Sequence, residues 1–487
     1  MLSTAANETR HAIAAEVARV QGLSENERQA IGRKYTESEE LWSALEAGGS
    51  DATLILRSSW LKGQRGGRLP KRGDKLPPEA TISVAELRAI AKASNCEYGA
   101  LPVIALSHFW RTKEHPDPDG ETLELIVASL EERWEEFEKR KVSDVGIIID
   151  WCALYQAPRT PQQEVSFKAG LKAINQWYAH QGTTVWLVTA GADRVKGLTY
   201  WQKGWTSFEY ALAMLIKPAN TSNMKDWAQV VDLGQEPGKR QTEFGRPALT
   251  EPLAFFQGHR YGDKTYTNGA DRDAIVAPKF RETMFEVLGG VRELNLGTLK
   301  WGDAGAEALA VVLPLCGQLK TLQLHQNFIG AAGAMALARA MGSMAKLKEL
   351  YLHNNNIGDQ GLSSLSEALA KGSLAQLTVR SPLTAVSPAC ETWHVSSSDR
   401  RELFRVPCAG ALAPRQRDWR RRHVGVRQRL RQGVLRKPHR APPSPERNHG
   451  RWLCCPLPTH KERWQVVWPQ RVQHWFGYHR QEHDGVC

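Results

Sequence analysis

Between residues 98 and 290 the apolar positions follow two rhythms. Continuous apolar runs at 101–107 (LPVIALS), 145–150 (VGIIID) and 183–189 (TTVWLVT) carry no polar face, as expected of strands buried on both sides. Each is followed by a stretch with apolar residues at helical spacing, at 121–140, 162–180 and 200–216, which predicts three helices. A shorter run at 228–233 gives a fourth strand and 271–288 a last helix. This alternation predicts an α/β fold: a parallel sheet with helices on both faces, and a binding crevice beyond the carboxyl ends of its strands.

From residue 291 the rhythm becomes a repeat. Val291, Leu319 and Leu347 are 28 residues apart. The same step relates Leu294, Leu322 and Leu350, then Leu296, Leu324 and Leu352, then Gly302, Gly330 and Gly358, and Gly305, Gly333 and Gly361. Each LxxLxL run is a short strand with inward leucines, and each apolar stretch after it a helix on the outer side. Asn327 and Asn355 take the polar position that closes the turn after the strand; the first repeat has Leu299 there, as befits a capping unit. The pattern resembles the long leucine-rich repeats of ribonuclease inhibitor. That resemblance implies a short α/β solenoid whose concave strand face holds a protein partner. Three repeats are complete, and a fourth starts at 374–379 (LAQLTV).

Ahead of the alternating region, residues 1–95 read as helical around 13–20, 37–45 and 84–93, with an extended Gly/Arg/Pro-rich connector at 61–80 that contains Pro77 and Pro78. Four segments follow: 1–95, 96–290, 291–380 and 381–487. Charge separates the last from the others. The chain carries a net +12, and 381–487 alone holds 18 Arg and 2 Lys against 8 acidic residues, which is the whole excess. The first 380 residues are therefore neutral overall. An Arg- and Trp-rich tail would bind RNA or DNA phosphates if genuine. The alternative is coding sequence read out of frame. Shifted by one nucleotide, codons for residues 416–422 permit Asn-x-Ile-Gly-Asp-x-Gly, the pattern of residues 355–361. The segment is expected to be disordered.

The remaining composition narrows the class. No run of 18 apolar residues predicts a membrane span, and the first residues show no basic segment followed by an apolar core. The eight cysteines show no CxxC pair or metal-type spacing. A cytoplasmic protein without a metal centre or bound cofactor is expected.

Chemistry-bearing side chains gather at the predicted strand ends. Ser107, His108 and Trp110 leave the first strand and are expected to rim the crevice; His108 reads equally as an ordinary loop histidine. Asp150, Cys152 and Gln156 leave the second strand. Asp150 suits either a ribose hydroxyl or the cap of the following turn. Cys152 reads as a small packed residue rather than a nucleophile, because no His–Asp relay can be assigned to it. Trp205 is placed at the rim, just ahead of Glu209. Thr206-Ser207-Phe208-Glu209 fits a capping box in which Glu209 reaches back to the Thr206 amide. Glu209 also lies about 100° from Phe208, at the edge of the buried stripe, where it can face the crevice instead. No P-loop, GxGxxG after a strand, HExxH or GxSxG is present.

The order ALSHFW (105–110), IIIDWCALYQ (147–156), Glu164, INQWYAH (174–180), VWLVT (185–189) and GWTSFE (204–209) resembles the heterokaryon-incompatibility (HET) branch of the TIR-like fold. Lys203 stands where the HET pattern has Arg. The resemblance covers residues 105–209 and implies a flavodoxin-like parallel sheet. Catalytically active TIR domains cleave NAD⁺ at the nicotinamide–ribose bond with a glutamate at a helix start after a Trp. On that pattern Glu209 is the catalytic residue, and Ser107, His108, Trp110, Asp150, Cys152, Gln156 and Trp205 would line the NAD⁺ site. Two functions are open: an effector domain that hydrolyses NAD⁺ under control of the repeats, and a non-enzymatic scaffold that self-associates through the α/β domain. Both expect a protein partner on the concave face.

Overall fold

The computed structural model describes residues 2–47, 53–219, 225–234, 264–266, 268–370, 391–395 and 403–407. The chain divides into two compact units, 1–413 and 414–487, and every described residue belongs to the first. The expected fourth repeat strand at 374–379 lies outside the described residues.

Five strands form one sheet: β1 (Leu56–Arg57), β2 (Val103–His108), β3 (Gly146–Ile148), β4 (Thr184–Val188) and β5 (Val230–Asp232), in the spatial order β1-β3-β2-β4-β5. β3, β2, β4 and β5 are mutually parallel, as expected, while β1 runs antiparallel to β3 at the edge. The sheet is therefore mixed rather than wholly parallel. The helical reading of residues 1–95 did not include β1: two residues are too few to show a strand period. The strand order reverses between β2 and β4, so loops after these strands diverge to opposite faces and leave a crevice between them.

Period-two geometry divides the core. Val103 and Ala105 of β2, with Val185 and Leu187 of β4, face one side; Ile104 and Leu106, with Trp186 and Val188, face the other. The first side is covered by α3 (Ser38–Glu46), α5 (Val84–Ala93), α8 (Pro161–Ala179) and α9 (Gly204–Ala213), the second by α6 (Glu121–Glu138). Helix α8 begins where its sequence says it should. Thr160 and Gln163 exchange side chain-to-amide bonds across the first turn, and Pro161 occupies the first helical position, where no amide donor is needed.

The 28-residue period becomes three parallel strands, β6 (Glu293–Asn295), β7 (Thr321–Gln323) and β8 (Glu349–Tyr351), paired with Glu293 opposite Thr321 and Thr321 opposite Glu349. Helices Gly302–Val312, Ala331–Met341 and Gly358–Ala370 follow them in turn. The inward leucines of every repeat are buried. Asn327 explains why one polar residue belongs in that interior. Its amide donates to Leu296 O (2.7 Å) and Leu324 O (3.2 Å), and its Oδ1 accepts from the amides of Leu299 (3.0 Å) and Trp301 (3.5 Å). Asn355 repeats this one rung on, donating to Leu324 O and Leu352 O and accepting from Asn327 N and Ile329 N.

Helix Ala277–Gly290 joins the two regions into one continuous core. It crosses α2 (Glu25–Arg33) so closely that a Cβ on Gly290 would lie 2.2 Å from the Gly32 Cα. Any larger residue at either position would force the helices apart. Within the segment expected to be disordered, Glu391–Val395 and Leu403–Pro407 pair as an antiparallel hairpin; backbone pairing of this kind needs no hydrophobic period to announce it.

Candidate functional site

The carboxyl end of β2 places Ser107 and His108 on opposite faces of the sheet, and a polar group assembles on each. On the α9 side, Ser107 Oγ donates to Glu209 Oε2 (2.6 Å) and lies 2.7 Å from the Tyr200 hydroxyl. Tyr200 in turn donates to Thr206 O (3.1 Å), and the Tyr178 hydroxyl of α8 donates to Leu106 O (3.1 Å). All four side chains are buried; Glu209 is 7 % exposed and Ser107 fully enclosed. Burial pushes the Glu209 carboxyl well above its usual range, the Ser107 bond opposes this, the negative charge of Asp150 adds to it, and a Tyr178 hydrogen bond opposes it again. The neutral acid is thus the favoured form.

This geometry overturns the capping-box expectation. Helix α9 starts at Gly204, with Lys203 as its cap residue and no side-chain cap. Thr206 lies inside the first turn and donates to Tyr200 O (2.5 Å) and Lys203 O (3.2 Å). Glu209 sits one turn in and points to β2 rather than back to Thr206.

On the other face, His108 Nε2 bonds Asp150 Oδ1 (2.8 Å), the Trp151 amide donates to the same oxygen (2.6 Å), and Trp110 Nε1 donates to Asp150 Oδ2 (3.3 Å). Asp150 opens a short helix, Asp150–Ala153. Burial raises its carboxyl, but the His108 charge and bond, the Trp151 amide and the Trp110 indole outweigh burial and hold it below the usual carboxylate range. Gln156 steadies this turn by donating to Leu154 O (2.8 Å) and Asp150 O (3.4 Å). Two carboxyl groups flanking one strand end are therefore shifted in opposite directions, Glu209 upward and Asp150 downward. Separation of this kind is what assigns acid and base roles where chemistry occurs.

The rim expected from the sequence is instead an interior. Ser107 and His108 are buried, and Trp110 is half-buried. Trp205 donates to Asp271 Oδ2 (3.1 Å) and stands edge-on to Phe208, packing beside the last helix rather than standing over Glu209. Cys152 is 2 % exposed, and burial, then the Asp150 charge, raise its thiol far above the ordinary range, which leaves it inert as a nucleophile. Tyr178 and Tyr200 belong to the cluster and were not foreseen. Both stand in aromatic-rich stretches that read simply as core. Among the described residues no group of three or more His, Cys, Asp or Glu side chains is arranged to hold a metal ion, and no helix is long and apolar enough to cross a membrane.

On the repeats, the strand faces present Glu293 and Asn295, then Thr321 and Gln323, then Glu349 and Tyr351 in successive rungs. His325 and His353 stack beside them with ring centroids 4.8 Å apart and planes 6° from parallel. The family model described as Leucine Rich repeat matches residues 343–366, the span of β8 and most of the helix after it. No significant match to a curated protein or to a solved structure was found. The repeat match suggests protein–protein interaction for that region.

Proposed function

We propose that this chain is a leucine-rich-repeat recognition protein with a TIR/HET-like effector domain that hydrolyses NAD⁺ at the nicotinamide–ribose bond. The repeats, read as a short solenoid, hold a protein partner on their concave face. The parallel strands in the order β3-β2-β4-β5 support a flavodoxin-like reading of residues 96–290. The observation that carries the enzymatic part is Glu209: a buried acid aimed at the carboxyl end of β2, beside the point where strand order reverses.

In this reading the bond between ribose C1′ and the nicotinamide nitrogen breaks, and its electron pair leaves with nicotinamide. Bound pyridinium charge favours the ionised form of Glu209, which then faces the oxocarbenium-like ribose and stabilises it, as carboxylates do in glycoside cleavage. Water adds to C1′ and releases a proton. Asp150, already ionised, holds a ribose hydroxyl. The buried state of Glu209 requires the loops around it to open for substrate.

The burial of Ser107 and Glu209 also favours a second reading, a non-enzymatic scaffold in which the cluster only ties α9 to the sheet. Incubating the full chain with NAD⁺ at high protein concentration and following nicotinamide release separates the two. Release abolished by Glu209→Ala supports the enzyme. No release leaves the scaffold, and release indifferent to Glu209→Ala removes Glu209 from the site.

A further inference from the structure

The connector between α4 (Ser58–Lys62) and the turn Pro78–Ala80 is an ordered strap rather than a loose linker. Gly67 and Gly120 approach so closely that a Cβ on Gly120 would lie 2.0 Å from Gly67 O, and Gly120 itself has a φ of +76°. Arg65 pairs with Glu124 and, at 2.6 Å, with Glu131 of α6. Arg72 N donates to Trp151 O (3.2 Å), Asp74 Oδ2 accepts from Lys71 N (2.7 Å), and Leu69 is buried. Held at these points, the strap borders an open cavity of about 630 Å³.

The lining of that cavity has a consistent chemistry. Trp60 and Trp151 supply two aromatic walls, and Arg68, Lys71 and Lys75 supply three cations. None of these three makes an ion pair among the described residues, whereas Arg65, a few residues away, makes two. The carboxylates of the lining are Asp74, whose Oδ2 already takes the Lys71 amide, and the exposed Glu114. From Lys62 to Lys75 the strap holds six cations and one acid. The Lys71 ammonium lies 5.5 Å from the Trp151 ring centroid, so charge and aromatic surface meet at one point. Trp151 is 4 % exposed, yet its indole N–H has no hydrogen-bond partner. Buried donors are rarely left so, and an indole can only donate.

We propose that this cavity is a binding site for an organic phosphate of nucleotide size, whose flat ring lies against Trp60 and the exposed edge of Trp151, and whose phosphates meet Arg68, Lys71 and Lys75. Three unpaired cations suit a group of two or more negative charges better than a single carboxylate. The volume falls within the range of small-molecule sites. The site is separate from the Ser107–Glu209 cluster and does not depend on its chemistry.

Equilibrium dialysis of the full chain with labelled ADP, with adenosine and inorganic phosphate as partial probes, tests the assignment. ADP is expected to bind saturably, and each partial probe to bind at least about ten-fold more weakly. Lys71→Glu combined with Lys75→Glu, both on the rim and outside the core, is expected to weaken ADP by about ten-fold or more. Trp60→Ala is expected to remove the preference for ADP over inorganic phosphate, and Glu209→Gln to leave ADP binding unchanged. Absence of saturable ADP binding overturns the proposal. So does binding indifferent to the Lys71/Lys75 double substitution, or binding lost in Glu209→Gln.

Discussion

The repeats and the α/β domain bury polar groups in opposite ways. In the repeats, Asn327 and Asn355 bond backbone atoms of their own and neighbouring rungs, and each rung copies the last. In the α/β domain, the Ser107 side chain bonds the Glu209 side chain 102 positions away and the Tyr200 hydroxyl, while Tyr178 and Tyr200 also bond the carbonyls of Leu106 and Thr206. A backbone ladder is a solution for stability, since every group it buries is satisfied. A side-chain network around a buried acid whose pKa is raised is a costlier arrangement, of the kind kept where chemistry or binding uses it.

Acid is the strongest way to set the regions apart. His180 of the α/β domain is enclosed, its Nδ1 accepts from Gly182 N and its Nε2 donates to Glu37 O. Burial lowers its pKa to about 3, the Glu37 contact opposing and the Lys217 charge assisting. The unfolded chain thus binds the extra proton between the ordinary histidine range and about pH 3, so stability is full above that range and falls as pH drops through it. The loss is expected to reach about 5 kcal/mol, measured as urea midpoints from pH 7 downward, with a flatter profile in His180→Gln. His353 of the repeats is also depressed, to about 4, by burial and by the His325 charge. It is only half-buried, and its contribution is expected to be smaller.

Asn327→Ala breaks the ladder. It takes the Asn327 side chain from the buried Leu299 amide and Leu296 carbonyl, while Leu324 O keeps Asn355, and is expected to cost about 3 kcal/mol, read by urea unfolding, with the chemistry of Glu209 untouched. Glu209→Gln should do the reverse, ending the proposed nicotinamide release while sparing stability. Native Glu209 keeps its proton above the pH at which the unfolded chain loses it. Wild-type stability therefore declines as pH rises out of the ordinary carboxylate range, by at most about 1.4 kcal/mol per pH unit. Glu209→Gln removes that slope, so its melting temperature relative to wild type is expected to rise from pH 5 to pH 8. Asn355→Ala, at the outer rung and only half-buried, is expected to be the mildest, costing about 1 kcal/mol. A cost equal to that of Asn327→Ala would erase the difference between inner and outer rungs.

Legibility followed the same division. The strands at 103–108, 146–148 and 184–188 and the helix at 84–93 sit where the apolar pattern put them, because burial on both faces leaves a continuous run. The repeats were legible for a stronger reason: a ladder that bonds its own backbone must recur at one period. The two-residue β1 was not, having too short a span to carry a pattern. The capping bond read for Glu209 was the wrong one, since S/T-x-x-E describes a cap only where the helix starts at that Ser or Thr. Here it starts two residues earlier.

The sequence by itself determined the alternation of strands and helices, the 28-residue repeat and the neutral balance of the first 380 residues, all consequences of which side chains water rejects at which spacing. Only the tertiary structure decided that Ser107 meets Glu209, that Asp150 is shared by His108 and Trp110, and that a basic strap stands over Trp151. Those contacts join positions tens of residues apart, and no local period records them; they exist because the crossing strands and helices bring their ends to one place.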